Sequence, residues 1–464
     1  MIFLPDTLPF LRRLRISDSS PFSKTDLPIL VLNRHASTHP VKACACRKII
    51  LSMKRYIPII TALMLYWPSY AQQADTLRVS LEQAEQIFLQ KNLLLLSQRY
   101  QVDAVTANEI QQRLYNNPSF SAEFAAYGSN HKWVDIGSSG QKVFGLDQVI
   151  TLAAKRNKRI LLAKEQSLEA ERGFYDLMRT LKYELRQNFY TIAYADDLAL
   201  KYKEQLQQLQ QIISAYEIQA AKGNVPLKDA VRLKAEYIQL SADRNIIIME
   251  AISARQALQL LMDTSVHIIP EKIRLDTKPL PGLAALTATA RRHRSDLQAQ
   301  ESRVKQEQLN YVYQRALATP DLTVGAGYDQ NGSYVSHFYS VRAAIDIPLF
   351  NRNQGNIKAA RSMIRSAELA LSYKQSAVDK EVAASLSRLN EAENEYRSTE
   401  QSFNKDFPEV NRAVIENFNK GNISLLEFVD FFENYNIAIR QLNQLHKQRR
   451  LAWEDLEYAL GTRL

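Results

Sequence analysis

The sequence predicts a mainly helical chain with a smaller β portion, built by internal duplication of one unit: helix, two strands, very long helix, Gly turn, helix. Three observations predict it. Markers recur about two hundred residues apart: Pro118-Ser119-Phe120-Ser121 with Pro320-Asp321-Leu322-Thr323, Arg156-Asn157 with Arg352-Asn353, and Lys222-Gly223-Asn224-Val225 with Lys420-Gly421-Asn422-Ile423. The long helices carry a narrow apolar seam that one unit cannot bury alone. The strands are alternating and too few to close on themselves. Each copy must therefore pack against its twin or against other chains.

The N-terminal 71 residues are set apart first. Met53-Lys54-Arg55 opens a secretory signal, followed by an apolar run from Tyr56 to Trp67 and a small-residue cleavage site at Ser69-Tyr70-Ala71. Residues 53–71 are read as the signal peptide, residues 1–52 as an upstream extension from a start codon called too early, and Gln72 as the first mature residue. Residues 1–71 hold 10 Lys/Arg and 3 Asp/Glu, which leaves 49 basic against 46 acidic side chains after Ala71. The formal +10 charge of the whole chain thus falls to about +3, and a nucleic-acid partner loses its support. Both cysteines, Cys44 and Cys46, lie in this segment, so no disulfide, thiolate metal site or lipid-bearing cysteine is expected after it. Nothing beyond Ala71 has the eighteen or so consecutive apolar residues of a membrane-spanning helix.

The first repeat is expected over 72–270. Its first strand, about 118–128, sets Phe120, Ala122, Phe124 and Ala126 opposite Ser119, Ser121, Glu123 and Tyr127; the second, about 142–152, alternates poorly. The long helix, about 155–221, contains no Pro after Lys158 and only Gly173 as a breaker. Its apolar residues step by three and four through Phe174, Leu177, Leu181, Leu185, Phe189 and Ile192, resuming at Leu198, Tyr202, Leu206, Leu209, Ile213 and Tyr216. That is a coiled-coil seam. A turn at 222–226 ends it, and a helix runs on to about 262. After a linker at 271–286 the second repeat fills 287–464: strands about 320–330 and 339–350, long helix about 354–419 with a kink expected at Pro408, turn 420–424, helix to about 460. Leu322, Val324, Ala326 and Tyr328 oppose Asp321, Thr323, Gly325 and Asp329. Tyr339, Val341, Ala343, Ile345 and Ile347 oppose Ser340, Arg342 and Asp346.

Strands near ten residues long match tilted membrane-crossing strands, and the polar loops 128–141 and 329–338 suit positions outside a membrane. Four strands cannot close a barrel. Eight would leave an interior filled by side chains, and twelve would leave a lumen, so the smallest sensible pore is a trimer.

Several segments resemble the outer-membrane efflux protein (TolC-type) family, most closely its heavy-metal-efflux, CzcC-like branch. They are Asp346-Ile347-Pro348-Leu349-Phe350-Asn351-Arg352-Asn353-Gln354-Gly355-Asn356-Ile357; Leu146 to Arg156, with Ala153-Ala154 where Gly is common; Lys420 to Glu427; and Tyr458-Ala459-Leu460-Gly461. The resemblance covers about 77–464. It implies a homotrimer with a twelve-strand barrel in the outer membrane and a twelve-helix tunnel in the periplasm. It also implies a periplasmic adaptor and an inner-membrane transporter of RND type as partners, a passive duct as function, and metal cations or small toxic molecules as cargo.

No catalytic constellation, cofactor motif or metal-ligand spacing is present; His131, His267, His293, His337 and His446 are scattered. The most chemical feature is acidic. Glu427 and Asp430 stand three apart at the start of a helix, with Asp229 at the matching place in the first repeat, and in a trimer such residues would ring the periplasmic mouth. The resemblance places Glu427 and Asp430 at acidic gate positions; the plainer alternative is acids that complement a helix dipole. Some family members lock the mouth with a Tyr and an Arg where this chain has Phe418 and Ile423, so closure here would rest on packing. The turns carry Gly223, Asn224, Val225 and Leu227 in one repeat and Gly421, Asn422, Ile423 and Leu425 in the other. Their apolar members are expected to be exposed for docking on the adaptor. The rival reading is a periplasmic structural coiled-coil protein with β caps and no pore.

Overall fold

The computed structural model describes residues 76–464 apart from 128–130, 132, 272–278, 332–334 and 404–406. The extension 1–52, the signal at 53–71 and the start at Gln72 therefore lie outside the described residues, as do parts of the two loops and the middle of the linker.

Two short strands that the pattern reading did not anticipate, β1 (Thr76–Val79) and β4 (His267–Pro270), pair in parallel beside the helices. Helix α1 (Leu81–Lys91) opens on a capping box, with the Gln83 amide donating to Ser80 Oγ at 3.3 Å and Gln83 Oε1 accepting from the Ser80 amide at 3.0 Å. Helix α2 (Leu93–Gln112) starts at the buried Asn92. That side chain accepts from the Leu95 amide and donates to the Leu261 carbonyl, both at 2.8 Å, so one residue caps a helix and ties it to another.

The main sheet has four strands: β2 (Ser119–Phe124), β3 (Lys142–Ile150), β5 (Leu322–Asn331) and β6 (Ser336–Ile345), ordered β2-β3-β5-β6 and antiparallel throughout. The two hairpins, one from each repeat, are joined by β3 against β5, with Val143 opposite Asp329 and Ile150 opposite Leu322. Strand β2 is shorter than the expected 118–128, and β6 stops at Ile345 rather than near 350. Beyond Ile345 the partner strand has run out, and Pro348 has no amide to continue a ladder.

Helix α3 (Lys155–Ala221) is 67 residues long, about 100 Å at 1.5 Å per residue. It packs against α2, α4 (Leu227–Met262), α6 (Ser295–Leu317) and α9 (Leu425–Leu460). Helix α5 (Leu283–His293) begins inside the stretch expected to be a linker. The long helix of the second repeat is described in two pieces, α7 (Gln354–Phe403) and α8 (Phe407–Asn419). Pro408 is the second residue of α8, a first-turn position where its missing amide costs little.

The core is three clusters, the first and last side by side across the Arg186–Glu454 and Tyr183–Asp455 contacts and the second nearer the tip turns. One joins α1, the first half of α3 and the end of α4 around Phe88, Leu185 and Phe189. The next joins the second half of α3 to α4, α8 and α9 around Tyr202, Leu209, Leu233 and Phe428. The last joins α5, α7 and the end of α9 around Val378, Val382 and Leu456. Between them lie buried charges. Arg186 pairs with Glu85 (2.7 Å), Glu454 and Glu457 (both 3.1 Å). Asp296 receives Arg294 and Lys374, each at 2.7 Å. Burial opposes ionisation of Asp296, but these cations hold its carboxyl well below the usual range. Much apolar surface stays uncovered within one chain: Leu260 on α4 is 81% exposed and Val341 on β6 is 91% exposed.

Ala153 and Ala154, just before α3, have φ of 54° and 53°, and Asn353 before α7 has φ of 57°. Asn tolerates this left-handed region and Ala does not. Replacing Ala154 with Gly should therefore stabilise the protein by up to about 1 kcal/mol, read as a higher thermal-unfolding midpoint of the detergent-solubilised protein. An unchanged or lower midpoint would show that the strain is absorbed elsewhere.

Candidate functional site

The strand register sorts side chains onto two faces, because directly opposed residues share a face. One face carries Ala122, Phe144, Tyr328 and Tyr339 in one row and Phe120, Leu146, Ala326 and Val341 in the next. Phe144 stacks on Tyr328 with centroids 6.4 Å apart, and Tyr328 lies 5.1 Å from Tyr339. Strand β3, which alternates poorly in isolation, joins this face through Phe144, Leu146 and Ile150. The other face is polar or small in its two central rows: Ser119, Asp147, Gly325 and Arg342 form one, and Ser121, Gly145, Gly327 and Ser340 the next. The outer edges, β2 and β6, have no strand partner among the described residues.

At the far end of the helices the two repeats make the same turn. Gly223 (φ 76°) and Gly421 (φ 75°) take the left-handed conformation, and no neighbouring atom would oppose a Cβ at either. The Asn224 amide donates to the Gln219 carbonyl at 3.0 Å and the Asn422 amide to the Asn417 carbonyl at 2.9 Å, closing both helix ends in the same way. The side chains repeat the pattern: Asn224 Nδ2 donates to Gln219 Oε1, and Asn422 Nδ2 to Asn417 Oδ1. The expectation of four exposed apolar tip residues needs correcting. Leu227 is 71% exposed, but Ile423 and Leu425 are half-buried against the Phe428 cluster and Val225 is half-buried too. The second turn folds back because α8 and α9 share an aromatic stack. Phe418 lies between Tyr216 (5.6 Å) and Phe428 (4.2 Å), nearly parallel to both rings. Phe418 is 6% exposed, so at this position the tip is held by packing rather than by a polar contact.

The three acidic candidates occupy two helices, Asp229 on α4 and Glu427 and Asp430 on α9. Asp229 is half-buried in the first turn of α4, and its charge, after burial, helps push the Tyr216 hydroxyl up. Glu427 is the third residue of a capping box: its Oε2 accepts from the Ser424 amide at 2.7 Å, and its own amide donates to Ser424 Oγ at 3.2 Å. That backbone hydrogen bond holds its carboxyl below the ordinary value. Asp430 is exposed. Among the described residues no three His, Cys, Asp or Glu side chains converge as a metal-binding group.

A further acidic feature escaped the pattern reading. Helix α4 carries Asp229, Glu236, Asp243 and Glu250 at heptad spacing, and α9 carries Glu433, Arg440 and Lys447 at the same spacing. Equivalent positions of the two repeats meet: Arg440 pairs with Asp243 at 3.2 Å and Lys447 with Glu250, each couple 197 residues apart. The rung nearest the tip is instead Glu236 facing Glu433, beside a cavity of about 150 Å³ between the helices. Burial, then the charge of Glu433, pushes the Glu236 carboxyl up from its ordinary 4.5. Heptad spacing of acids was the available signal, and only their facing partners give it meaning.

Two predictions follow from this geometry. Glu427→Gln should leave stability unchanged, since Gln83 closes the same box in α1. Glu427→Ala, which cannot close the box, should lower the thermal-unfolding midpoint. Equal melting of both variants would show that the cap is idle. For Glu236 the raised folded value means a penalty present at neutral pH and relieved as pH falls through that value toward 4.5. Glu433→Gln should stabilise the helical region at pH 7 by on the order of 0.5 kcal/mol and flatten the pH profile. A loss of stability at pH 7 would contradict the repulsive rung.

Residues 286–462 match the family described as outer membrane efflux protein. No curated protein matches the chain significantly. Among solved structures, the fold is similar to a membrane protein from Pseudomonas aeruginosa, with TM-score 0.69, 17% identity, and 82% of this chain and 90% of that chain covered. CusC, studied for its folding and transmembrane channel formation, gives TM-score 0.69 at 19% identity, over 85% of this chain and 96% of that one. The CmeC outer membrane channel of Campylobacter jejuni gives 0.69 at 14% identity, over 82% and 85%. The second repeat thus carries the signature of the outer membrane efflux protein family, on a fold that solved outer membrane channels share over most of both chains.

Proposed function

We propose that this protein is the outer-membrane exit duct of a tripartite, RND-type efflux pump. The observation that carries the reading is the sheet: one face largely apolar, with Lys142 and Gln148 among its exceptions, the other largely polar or small, and both outer edges without a strand partner among the described residues. Unpaired edge amides and carbonyls cost several kcal/mol each in lipid, so a membrane-embedded sheet of this kind must close with copies of itself. Three chains would supply twelve strands with the apolar face toward lipid and the polar face toward a lumen. The aromatic row at Phe144, Tyr328 and Tyr339 suits a membrane interface. The helices, the longest of them about 100 Å, would continue as a twelve-helix periplasmic tunnel, and their uncovered apolar residues would pack between subunits. The paired turns around Gly223 and Gly421, with Leu227 outermost, would meet the periplasmic adaptor, and the inner-membrane transporter would supply energy. In the trimer Asp229, Glu427 and Asp430 would ring the mouth and favour cations. The resemblance to the CzcC-like branch points to metal cations or small toxic molecules as cargo, with the choice among them resting on the transporter.

The duct must fractionate with the outer membrane, resist carbonate extraction and run as a trimer in detergent. A carbonate-soluble protein that forms no pore would instead support the periplasmic coiled-coil reading. Replacing Gly223 and Gly421 together with Val should leave trimers and insertion nearly intact, because those depend on distant surfaces, while efflux falls. If the double variant lost the trimer while any trimer that formed still exported cargo, the turns would be folding elements and not docking tips.

A further inference from the structure

The polar face of the sheet holds a built ion pair that the duct reading does not require. Arg342 on β6 reaches across β5 to Asp147 on β3. Its Nε donates to Asp147 Oδ1 at 2.6 Å and its Nη2 to Oδ2, a two-pronged contact. The residue between them in the row is Gly325. A Cβ there would sit 2.0 Å from Asp147 Oδ1 and 3.1 Å from Arg342 Nε. In the next row, a Cβ on Gly145 would lie 2.9 Å from Arg342 Nη2. The guanidinium therefore lies on a floor of glycines and needs both to remain small. Among the paired positions of the polar face, Arg342 is the one Lys or Arg, against three carboxylates: Glu123, Asp147 and Asp329.

We propose that Arg342 is a specificity-determining residue of the lumen, setting its ion preference by neutralising Asp147. The inference rests on the barrel reading above. In a threefold assembly the Asp147–Arg342 pairs form a belt of no net charge within a wall that is otherwise acidic. Removing the guanidinium frees one carboxylate per subunit at the same level, and a ring of carboxylates favours cations. Removing the carboxylate leaves a ring of guanidinium groups.

The test is the reversal potential of purified trimers in planar bilayers under a KCl gradient near 0.1 M, where screening is modest. Arg342→Gln should raise the potassium-to-chloride permeability ratio about twofold or more, and Asp147→Asn, which is isosteric and keeps the glycine floor covered, should lower it by a similar factor. The double variant should return close to the unsubstituted protein. Equal ratios in all four proteins, with trimers intact, would make the pair a staple between repeats and overturn the inference. Failure of both single variants to assemble would do the same. An unsubstituted trimer that opens no pore would overturn the duct reading itself, and this inference with it.

Discussion

The pairing of β3 with β5 is the constraint on which the remaining architecture depends. It joins hairpins from two repeats into one sheet, and its register decides the face of every side chain in all four strands. A slip of one residue would turn Phe144 and Leu146 to the polar side and bring Asp147 to the apolar one. The register is held from within by Arg342, which reaches Asp147 over Gly325, and from the end by Asp321. That carboxylate accepts from the Leu152 amide at 2.9 Å and from Lys155 Nζ at 2.7 Å. The second of these contacts lies at the start of α3, so strand register and helix origin are set together.

From that origin the helices follow a different rule. A seam of one residue in three or four is too narrow for a globular core, and the chain answers with three separate clusters in place of one. Between clusters the packing is ionic, around Arg186 and Asp296, with each buried charge met by more than one partner. Such networks contribute little net stability compared with apolar packing, but breaking one leaves an uncompensated buried charge. They give five helices a specific junction partway along α3, between the sheet and the tip turns.

The tip shows the duplication diverging under a shared backbone plan. Both turns use Gly in the left-handed region and an Asn that closes the helix behind it, yet Leu227 stays exposed in the first while Ile423 and Leu425 of the second pack on the Phe418–Phe428 stack. The contact between α4 and α9 weakens toward the same end, passing from two opposite-charge rungs to the Glu236–Glu433 rung. A tip held by ring packing and loosened by carboxylates is insensitive to salt in the first respect and sensitive to protons in the second.

The sequence alone carried the period of the seam, the recurrence of markers, the glycines that end the helices and the alternation of three strands. All are local consequences of backbone sterics and side-chain periodicity, and α3 and its turn could be read from Lys158 to Gly223 for that reason. It also pointed to a mainly helical duplicated fold and a packed rather than polar tip at Phe418. Tertiary structure decided what depends on partners distant in the chain. β3 looks irregular until Ala122 and Tyr328 are set beside Phe144, and β1 and β4 are too short to stand out without each other. Glu427 closes a capping box with Ser424, a role separate from the gate position that the resemblance implies. Asp147 and Arg342 are unremarkable charges 195 residues apart until Gly325 lets one reach the other. Periodicity is written in neighbouring residues, whereas a facing partner exists only once the register is chosen.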